Sequence, residues 1–307
     1  TLSAFLVGIA SGSREAGERC ESATRAEIVR GLIDALLKAA LVGLVFLPLL
    51  NHLAWLNRGM LGAVIIMVYL VARYWGALLP CLAEFSVPPD DKAGTRTAVL
   101  YLAYILGSAT GLIVTGFVLM DCVGLVALAT LLVAAGLAVT LALIVAFEMA
   151  PRQKLQRGAI AVVAGVAAMV AIPPLSQRVL ENLQWKGAAY ARPFVKVVED
   201  RSGIITVTDN GAVFGHGMYD GRFNTDLVHD TNGIVRPYAL SLFHPAPRDV
   251  LMIGLSSGSW AQVIAQEPAV RSLTVIEINP GYVKLIATEP EVASILSNPK
   301  ITIVTDD

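Results

Sequence analysis

Charge is scarce in this chain: Asp, Glu, Lys and Arg make up 15% of its 307 residues, against 55% hydrophobic residues and a mean hydropathy of +0.66. Ordinary soluble domains carry about a quarter charged residues. The deficit excludes that class and places the chain among membrane proteins. Neither sign of charge is in excess, the formal net charge being −1. That balance excludes a basic nucleic-acid surface and an acidic solvating tail. Cysteine is rare and odd in number, with only Cys20, Cys81 and Cys122. Widely spaced and in or beside apolar sequence, these three read as small apolar residues, neither a disulfide framework nor a zinc site, and no metal is expected. An initiator Met and a basic segment ahead of the first apolar stretch, Thr1 to Ala10, are also lacking. The stretch therefore does not read as a signal peptide, and is expected to be the end of a transmembrane helix that starts before Thr1.

Long apolar runs fill the first half. Five have the roughly 17 to 25 residues a helix needs to cross a bilayer, at 35–56, 60–80, 97–120, 123–147 and 158–175. None has the polar face that a water-exposed bundle requires. Gly8 with Gly12, and Gly107 with Gly111 followed by Gly116, have the spacing that lets helix backbones approach in lipid. The charges inside the runs have local explanations. Arg73, followed by Tyr74 and Trp75, is expected to snorkel to the interface. Asp34 and Lys38, at i and i+4 where a helix begins, read as self-paired or interfacial charge. Glu148 stands at a helix end, and His52 beside Trp55 reads as interfacial. Arg14, Arg19, Arg25, Arg30, Lys92, Arg96, Arg152, Lys154 and Arg157 fall on one side, with only Arg58 in the short opposite loops. The positive-inside rule makes the first side cytoplasmic. Five complete spans then put the sequence after residue 175 on the other side, unless the last run, ending at Pro173 and Pro174, is re-entrant.

After Pro174 the composition turns polar. Residues 177–186 read as a polar helix or linker. Short strands follow at Phe194 to Val198, Ile204 to Thr208 and Ala212 to His216, with a turn at Asp200 to Gly203 and another at Asp209-Asn210-Gly211. Asn-Gly between β-branched runs is a hairpin signal. From Asp249 the order becomes strand, turn, helix, strand. Val250 to Ile253 suits a buried parallel strand, and Gly254-Leu255-Ser256-Ser257-Gly258-Ser259 makes a small-residue turn into a helix from Trp260 to Gln266. Leu273 to Ile276 is the next strand, closed by Glu277; a helical stretch runs from Gly281 to about Leu296, and Ile301 to Val304 leads to Asp306 and Asp307. Glycine and serine keep such a turn low, so a ligand can meet backbone N–H groups at the helix start. An acid at the second strand end, Glu277, is placed for two ribose hydroxyls, and one after the third, Asp306, for an adenine amino group. The expected fold is thus a multi-pass α-helical membrane domain (1–178), a linker and small antiparallel β unit (179–236), and the N-terminal part of an α/β Rossmann-like domain of the S-adenosylmethionine-methyltransferase type (237–307).

The residues Val250 to Gly258, Thr274-Val275-Ile276-Glu277-Ile278-Asn279-Pro280 and Val304-Thr305-Asp306, with His244-Pro245 ahead of them, resemble the spermidine synthase (polyamine aminopropyltransferase) family. The membrane half, through Leu2 to Gly8 and Tyr101 to Gly116, is similar to the transporter-like region that some bacterial members carry, which implies a multi-pass protein of a bacterial inner membrane. By position, the resemblance implies that Gly254, Ser256, Ser257 and Gly258 shape the nucleoside turn, Glu277 holds the ribose and Asp306 faces the adenine. The cofactor implied is decarboxylated S-adenosylmethionine, or S-adenosylmethionine itself, bound as substrate without a metal. This sequence departs from the family at Ser257, where an aspartate faces the amine, at Asn232-Gly233, where a tyrosine-glutamine pair stands, and at Asn279, usually aspartate. The family's catalytic aspartate follows a fourth strand that is not in this sequence, so the chain is expected to be a fragment at both ends, about 100 residues short of a full domain. Three functions follow: membrane-anchored aminopropyl transfer, weakened by the loss of charge at Ser257; non-catalytic sensing or transport-associated binding of an adenosine-type ligand or polyamine; and methyl transfer. His229, Asp226 and Asp230 are candidates to restore the missing charge. Expected partners are the lipid bilayer, a small nucleoside ligand and a polyamine, with no nucleic acid and with homo-oligomerisation left open.

Overall fold

The computed structural model describes residues 1–56 and 58–305, which form two compact units, one of Thr1–Leu119 with Gly124–Ala191 and the other of Met120–Val123 with Arg192–Asp307. The first is helical: α1 (Leu2–Cys20), α2 (Arg25–Leu53), α3 (Arg58–Gly76), α4 (Leu78–Ser86), α5 (Ala93–Val114), followed along the chain by a π-helical stretch and by α6 (Met120–Cys122), which is grouped with the second unit, and then α7 (Leu125–Ala146), α8 (Pro151–Leu175) and α9 (Val179–Trp185). Among the described residues, five helical segments are long and apolar enough to cross a membrane: Arg25–Leu56, Gly59–Ser86, Ala93–Cys122, Leu125–Ala146 and Pro151–Leu175. Several extend beyond the apolar runs because capping chemistry, rather than hydropathy, sets a helix end. At the start of α2, Glu27 Oε2 accepts from the Thr24 N–H at 2.8 Å and the Thr24 hydroxyl at 2.7 Å, a reciprocal cap. At the start of α8, Pro151 occupies a first-turn position where no N–H is needed.

Small residues set the helix packing. A Cβ on Gly8 would lie 2.6 Å from the Tyr69 carbonyl oxygen, and one on Gly12 would overlap the Arg73 carbonyl, so α1 meets α3 backbone to backbone. On the other side of the unit, Ala161, Ala164 and Ala168 of α8 pack with Leu137 of α7 and Leu37 and Leu47 of α2. Gly107 and Gly111, which share the same spacing, and Gly116 after them have open space where a Cβ would stand, and α5 buries no residue. Spacing alone therefore overstates their part in packing within the chain. Cys20 and Cys81, distant in sequence, are free thiols with Sγ atoms 3.4 Å apart between α1 and α4.

The charged residues also pair differently from the local reading. Arg73 does not snorkel free; its Nε donates to Glu15 Oε2 of α1 at 3.0 Å. Asp34 does not pair with Lys38 but accepts from Arg157 of α8, Nε at 2.7 Å and Nη2 at 3.0 Å. A guanidinium offers a planar fork that matches a carboxylate where an ammonium cannot.

The second unit contains two sheets. β1 (Phe194–Asp200), β2 (Gly203–Thr208), β3 (Ala212–Gly215) and β4 (Met218–Arg222) form an antiparallel meander; short helices α10 (Val235–Tyr238) and α11 (Leu240–Phe243) follow. Then β5 (Asp249–Ile253), α12 (Ser259–Gln266), β6 (Ser272–Glu277), α13 (Gly281–Ile286) and β7 (Ile301–Thr305) build a parallel sheet in the order β5-β6-β7. β4 is not legible in the pattern because Met-Tyr-Asp-Gly-Arg shows no apolar alternation; His216 and Gly217, with φ of 51° and 79°, make the tight turn that brings it back beside β3. The expected helix from 281 to 296 is broken. α13 ends at Ile286, and after Thr288-Glu289-Pro290 only a 3₁₀ turn, Ala293–Ser297, remains, because proline disfavours helix at the residue before it and lacks the N–H that would continue it. Ile205, Val207 and Val213 of the antiparallel sheet share one core with Leu273, Val275, Leu285 and Ile286.

The α1–α3 contact yields a direct test. Gly12→Ala is expected to destabilise the detergent-purified protein by about 1–3 kcal/mol, the usual cost of overpacking, whereas Gly107→Ala should be neutral or stabilising by up to about 1 kcal/mol. Equal thermal midpoints for the two variants would refute the contact.

Candidate functional site

The turn between β5 and α12 is built on left-handed backbone. Gly254, Ser256 and Gly258 have φ of 87°, 50° and 75°, a conformation that costs a β-carbon-bearing residue of order 1 kcal/mol or more. At Gly258 sterics reinforce it, since a Cβ would stand 2.8 Å from Ile295 Cδ1 and 2.9 Å from Ile286 Cδ1. Nothing lies within 4 Å of the place where a Gly254 Cβ would point. The turn is thus low and open at its first glycine.

Glu277, 4% exposed at the end of β6, holds the turn. Its Oε2 accepts from the Leu255 N–H at 2.7 Å and its Oε1 from the Asn279 N–H at 2.8 Å. A carboxylate has about four acceptor positions, so each oxygen keeps one free for a further donor. Asn279 is 2% exposed, with Oδ1 receiving the Gly281 N–H at 2.8 Å. Its Nδ2, like Nε of Arg222, is buried with no hydrogen-bond partner among the described residues.

β4 lies against the same turn. The Ser256 hydroxyl donates to the Asp220 carbonyl at 2.5 Å, and the Ser259 hydroxyl to the Arg222 carbonyl at 2.8 Å. Gly221 sits between them, where a Cβ would be 2.6 Å from Ser256 Oγ. Asn232 Nδ2 donates to the Arg222 carbonyl at 2.8 Å, and the Trp260 indole N–H to the Asn232 carbonyl at 3.3 Å. The position occupied by Asn232 therefore braces the strand against the turn. Ser257 is 2% exposed, and its hydroxyl is hydrogen-bonded to that of Ser259 at 3.2 Å. It faces the interior of the turn.

Of the residues singled out in the sequence, Gly254, Ser256, Ser257, Gly258 and Glu277 are brought together at the carboxyl ends of β5 and β6. Asp306 lies outside the described residues; β7 ends with Thr305 opposite Glu277. The candidate acids in the loop after β4 are occupied. Asp226 accepts from His229 Nδ1 at 2.7 Å and from the Val228 N–H at 2.8 Å, and Asp230 from the Ile234 and Asn232 N–H groups at 2.9 and 2.8 Å. The His229 contact holds the Asp226 carboxyl below its ordinary range, and the Ile234 N–H does the same at Asp230. Both fold the loop, and neither is a stronger base than usual. The acid that sequence reading missed is Asp220. Exposed on β4, it is the carboxylate whose charge acts on the buried phenol of Tyr282, and only the His216-Gly217 turn could have signalled that a strand carries it to the site.

Burial, then Asp220, pushes the Tyr282 phenol well above its ordinary value. The hydroxyl therefore remains a donor throughout the neutral range. A folded-state value above the unfolded one of about 10 gives stability that is intact below pH 10 and lost as pH climbs beyond it. Alkaline unfolding followed by circular dichroism is expected to show this slope, and Tyr282→Phe should flatten it; an unchanged slope would exclude Tyr282 as its source.

The sequence matches no model of a known protein family, and no curated protein matches it.

Proposed function

We propose that this chain is a multi-pass membrane protein whose parallel-sheet part is the opening of a Rossmann-like domain that binds an adenosine-type ligand on the 254–258 turn. The ligand class is that of the spermidine synthase family it resembles, with decarboxylated S-adenosylmethionine as aminopropyl donor. The observation that carries the reading is the pair of backbone N–H groups, from Leu255 and Asn279, that fix the Glu277 carboxylate at the strand ends while leaving acceptor positions on both oxygens. A ribose diol supplies two donors of matching separation. The open space at Gly254 and the sequential parallel order β5-β6-β7 fit the same ligand. Membrane insertion is supported by the five long apolar helices and by the exposed apolar side chains around α5, among them Tyr101, Leu102, Ile105 and Leu112, which water would not tolerate as a continuous surface.

Aminopropyl transfer requires a neutral amine to attack the carbon next to the sulfonium; a C–N bond forms, the C–S bond breaks, methylthioadenosine leaves as a neutral thioether, and the amine gives up a proton. A diamine reaches the site as a dication, its pKa values lying near that of lysine, about 10.4. A carboxylate must attract it and take or relay the proton. Ser257, buried and already hydrogen-bonded, supplies neither charge nor access. Asp220, whose carbonyl accepts from the Ser256 hydroxyl, is an exposed carboxylate beside the turn, and we assign it that role.

Two measurements test this reading. In Glu277→Gln the amide nitrogen must face a backbone N–H, which leaves a buried donor unsatisfied at about 1–3 kcal/mol. Calorimetric affinity for methylthioadenosine is therefore expected to fall by roughly tenfold or more, and an unchanged affinity would remove the nucleoside site. In a product assay with decarboxylated S-adenosylmethionine and putrescine, Asp220→Asn should lower methylthioadenosine release by about 10²- to 10⁴-fold, the range of a lost general base, with nucleoside affinity retained. Ser257→Asp, which buries a carboxylate, should not raise turnover. Wild-type protein that binds methylthioadenosine but forms no product would instead identify a non-catalytic binding domain, a reading that the burial of Ser257 favours.

A further inference from the structure

The helical unit contains an open cavity of about 550 Å³ bordered by α1, α2, α3 and the start of α4. That size suits a small organic ligand, for which pockets usually measure about 300–1,000 Å³. The walls are mostly small, with Gly12, Ala16, Gly31, Ala35 and Ala77. Six charged side chains line it, three acids (Glu15, Glu27, Asp34) and three cations (Arg19, Lys38, Arg73). Formal neutrality is misleading, because two of the acids are satisfied from outside. Asp34 is held in a two-point contact by Arg157, and Glu27 caps Thr24 and lies 3.8 Å from Arg30. Neither arginine lines the cavity. The three lining cations are left facing one lining carboxylate, Glu15, and that one is bonded to Arg73 and lies 3.4 Å from Arg19.

Lys38 is the cation left over. It has no carboxylate within 4 Å among the described residues, and its ammonium stands 6.0 Å from the Tyr74 ring centroid across the cavity. Thirteen residues beyond the first residue of α2, it lies about 20 Å along the helix at 1.5 Å per residue. Its neighbours Leu37, Ala39 and Ala40 are buried. Lys38 itself is exposed, so its ammonium is open to a ligand.

We infer that this cavity is a binding site for a small anion, a carboxylate or phosphate group recognised by Lys38, with the ligand body lying on the small-residue wall that Gly31 leaves open. The inference is independent of the nucleoside site. The surplus positive charge excludes a polyamine from the same place. The anion can come from a free organic acid or from an anionic lipid headgroup, and the two are separable.

The test uses the whole protein in nanodiscs of phosphatidylcholine, titrated by equilibrium dialysis with succinate, and with putrescine as the dication of equal chain length. Saturable succinate binding without putrescine binding is expected. Lys38→Gln should weaken it by roughly tenfold or more, the effect of losing a charge-assisted hydrogen bond, and Lys38→Arg should retain it. To separate loss of the ammonium from a disturbance of α2, Gly31→Leu provides a second variant: among the described residues no atom lies within 4 Å of its Cβ position, so a side chain there has room to enter the cavity and should also abolish binding. In discs that include phosphatidylglycerol, native mass spectrometry separates the sources. Lipid retained by wild type, lost in both weakening variants and excluding succinate assigns the site to a headgroup; succinate binding undiminished by the lipid assigns it to a soluble acid. No saturable anion binding in either disc, equal binding by wild type and Lys38→Gln, or equal binding of putrescine would overturn the proposal.

Discussion

A charge on an apolar helix must find its counter-charge on another helix, and this constraint organises the first unit. The apolar helices supply few charges, and those present fix which helices meet. Glu15 draws Arg73 and so ties α1 to α3; Asp34 draws Arg157 and ties α2 to α8. The glycine contacts act in the same direction, because Gly12 can touch the Arg73 carbonyl only where the Arg73 side chain reaches Glu15 one turn away. Apolar side chains alone would not choose among these neighbours, since in lipid one greasy face is as good as another. The pairs provide specificity more than stability, as desolvating two charges offsets much of their attraction. Lys38 is the exception that the constraint exposes. Once Arg157 has taken Asp34, Lys38 has no carboxylate within 4 Å among the described residues.

In the second unit the equivalent constraint is the Glu277 carboxylate. A buried carboxylate is tolerated only when hydrogen bonds replace its water, and here the donors are the backbone N–H groups of Leu255 and Asn279. The acid therefore links the turn after β5 to the turn after β6. Left-handed Gly254, Ser256 and Gly258 aim the chain so that the Leu255 N–H points at Glu277. The hydroxyls of Ser256 and Ser259 then tie the outer side of that turn to β4. A change in any one of these residues is transmitted to the others through a hydrogen bond rather than through the apolar core.

Much of this architecture was legible in the order of residues, and the failures share a cause. The apolar runs found the five long helices, and Asn210-Gly211 found the β2–β3 hairpin, because hydropathy and turn chemistry are local. The glycine turn and Glu277 could be placed at adjacent strand ends because parallel strands connected by a helix bring their carboxyl ends together. Long-range pairing was not legible. Asp34 and Lys38 satisfy the i,i+4 rule, yet Arg157, 123 positions away, wins by offering two hydrogen bonds. Gly107 and Gly111 have the same spacing as Gly8 and Gly12 and no neighbour. β4 lacked any pattern because its function is polar: it presents carbonyls to serines on one side and Asp220 to Tyr282 on the other. The helix expected across 281–296 failed at Pro290, a local signal that the apolar spacing outweighed.

The replacement of an acid by Ser257 takes on a different meaning once β4 is in place. Read along the sequence, a serine in the turn removes a charge from the amine's path. In three dimensions the Ser257 side chain is buried beneath the turn, so an aspartate there would face Ser259 rather than solvent, and its cost would be that of an unpaired buried carboxylate. In the proposed reading, charge for an incoming amine has to come from a surface that faces it, and Asp220, exposed on β4, is the acid assigned to it. Burial keeps the nearby Tyr282 phenol protonated, so it does not compete with the carboxylate for a proton near neutral pH. The loop acids Asp226 and Asp230 cannot substitute, because the hydrogen bonds that fold their loop also lower their basicity. In the proposed reading the amine therefore approaches from the antiparallel sheet and the nucleoside from the parallel one, and the turn between β5 and α12 is where the two surfaces meet.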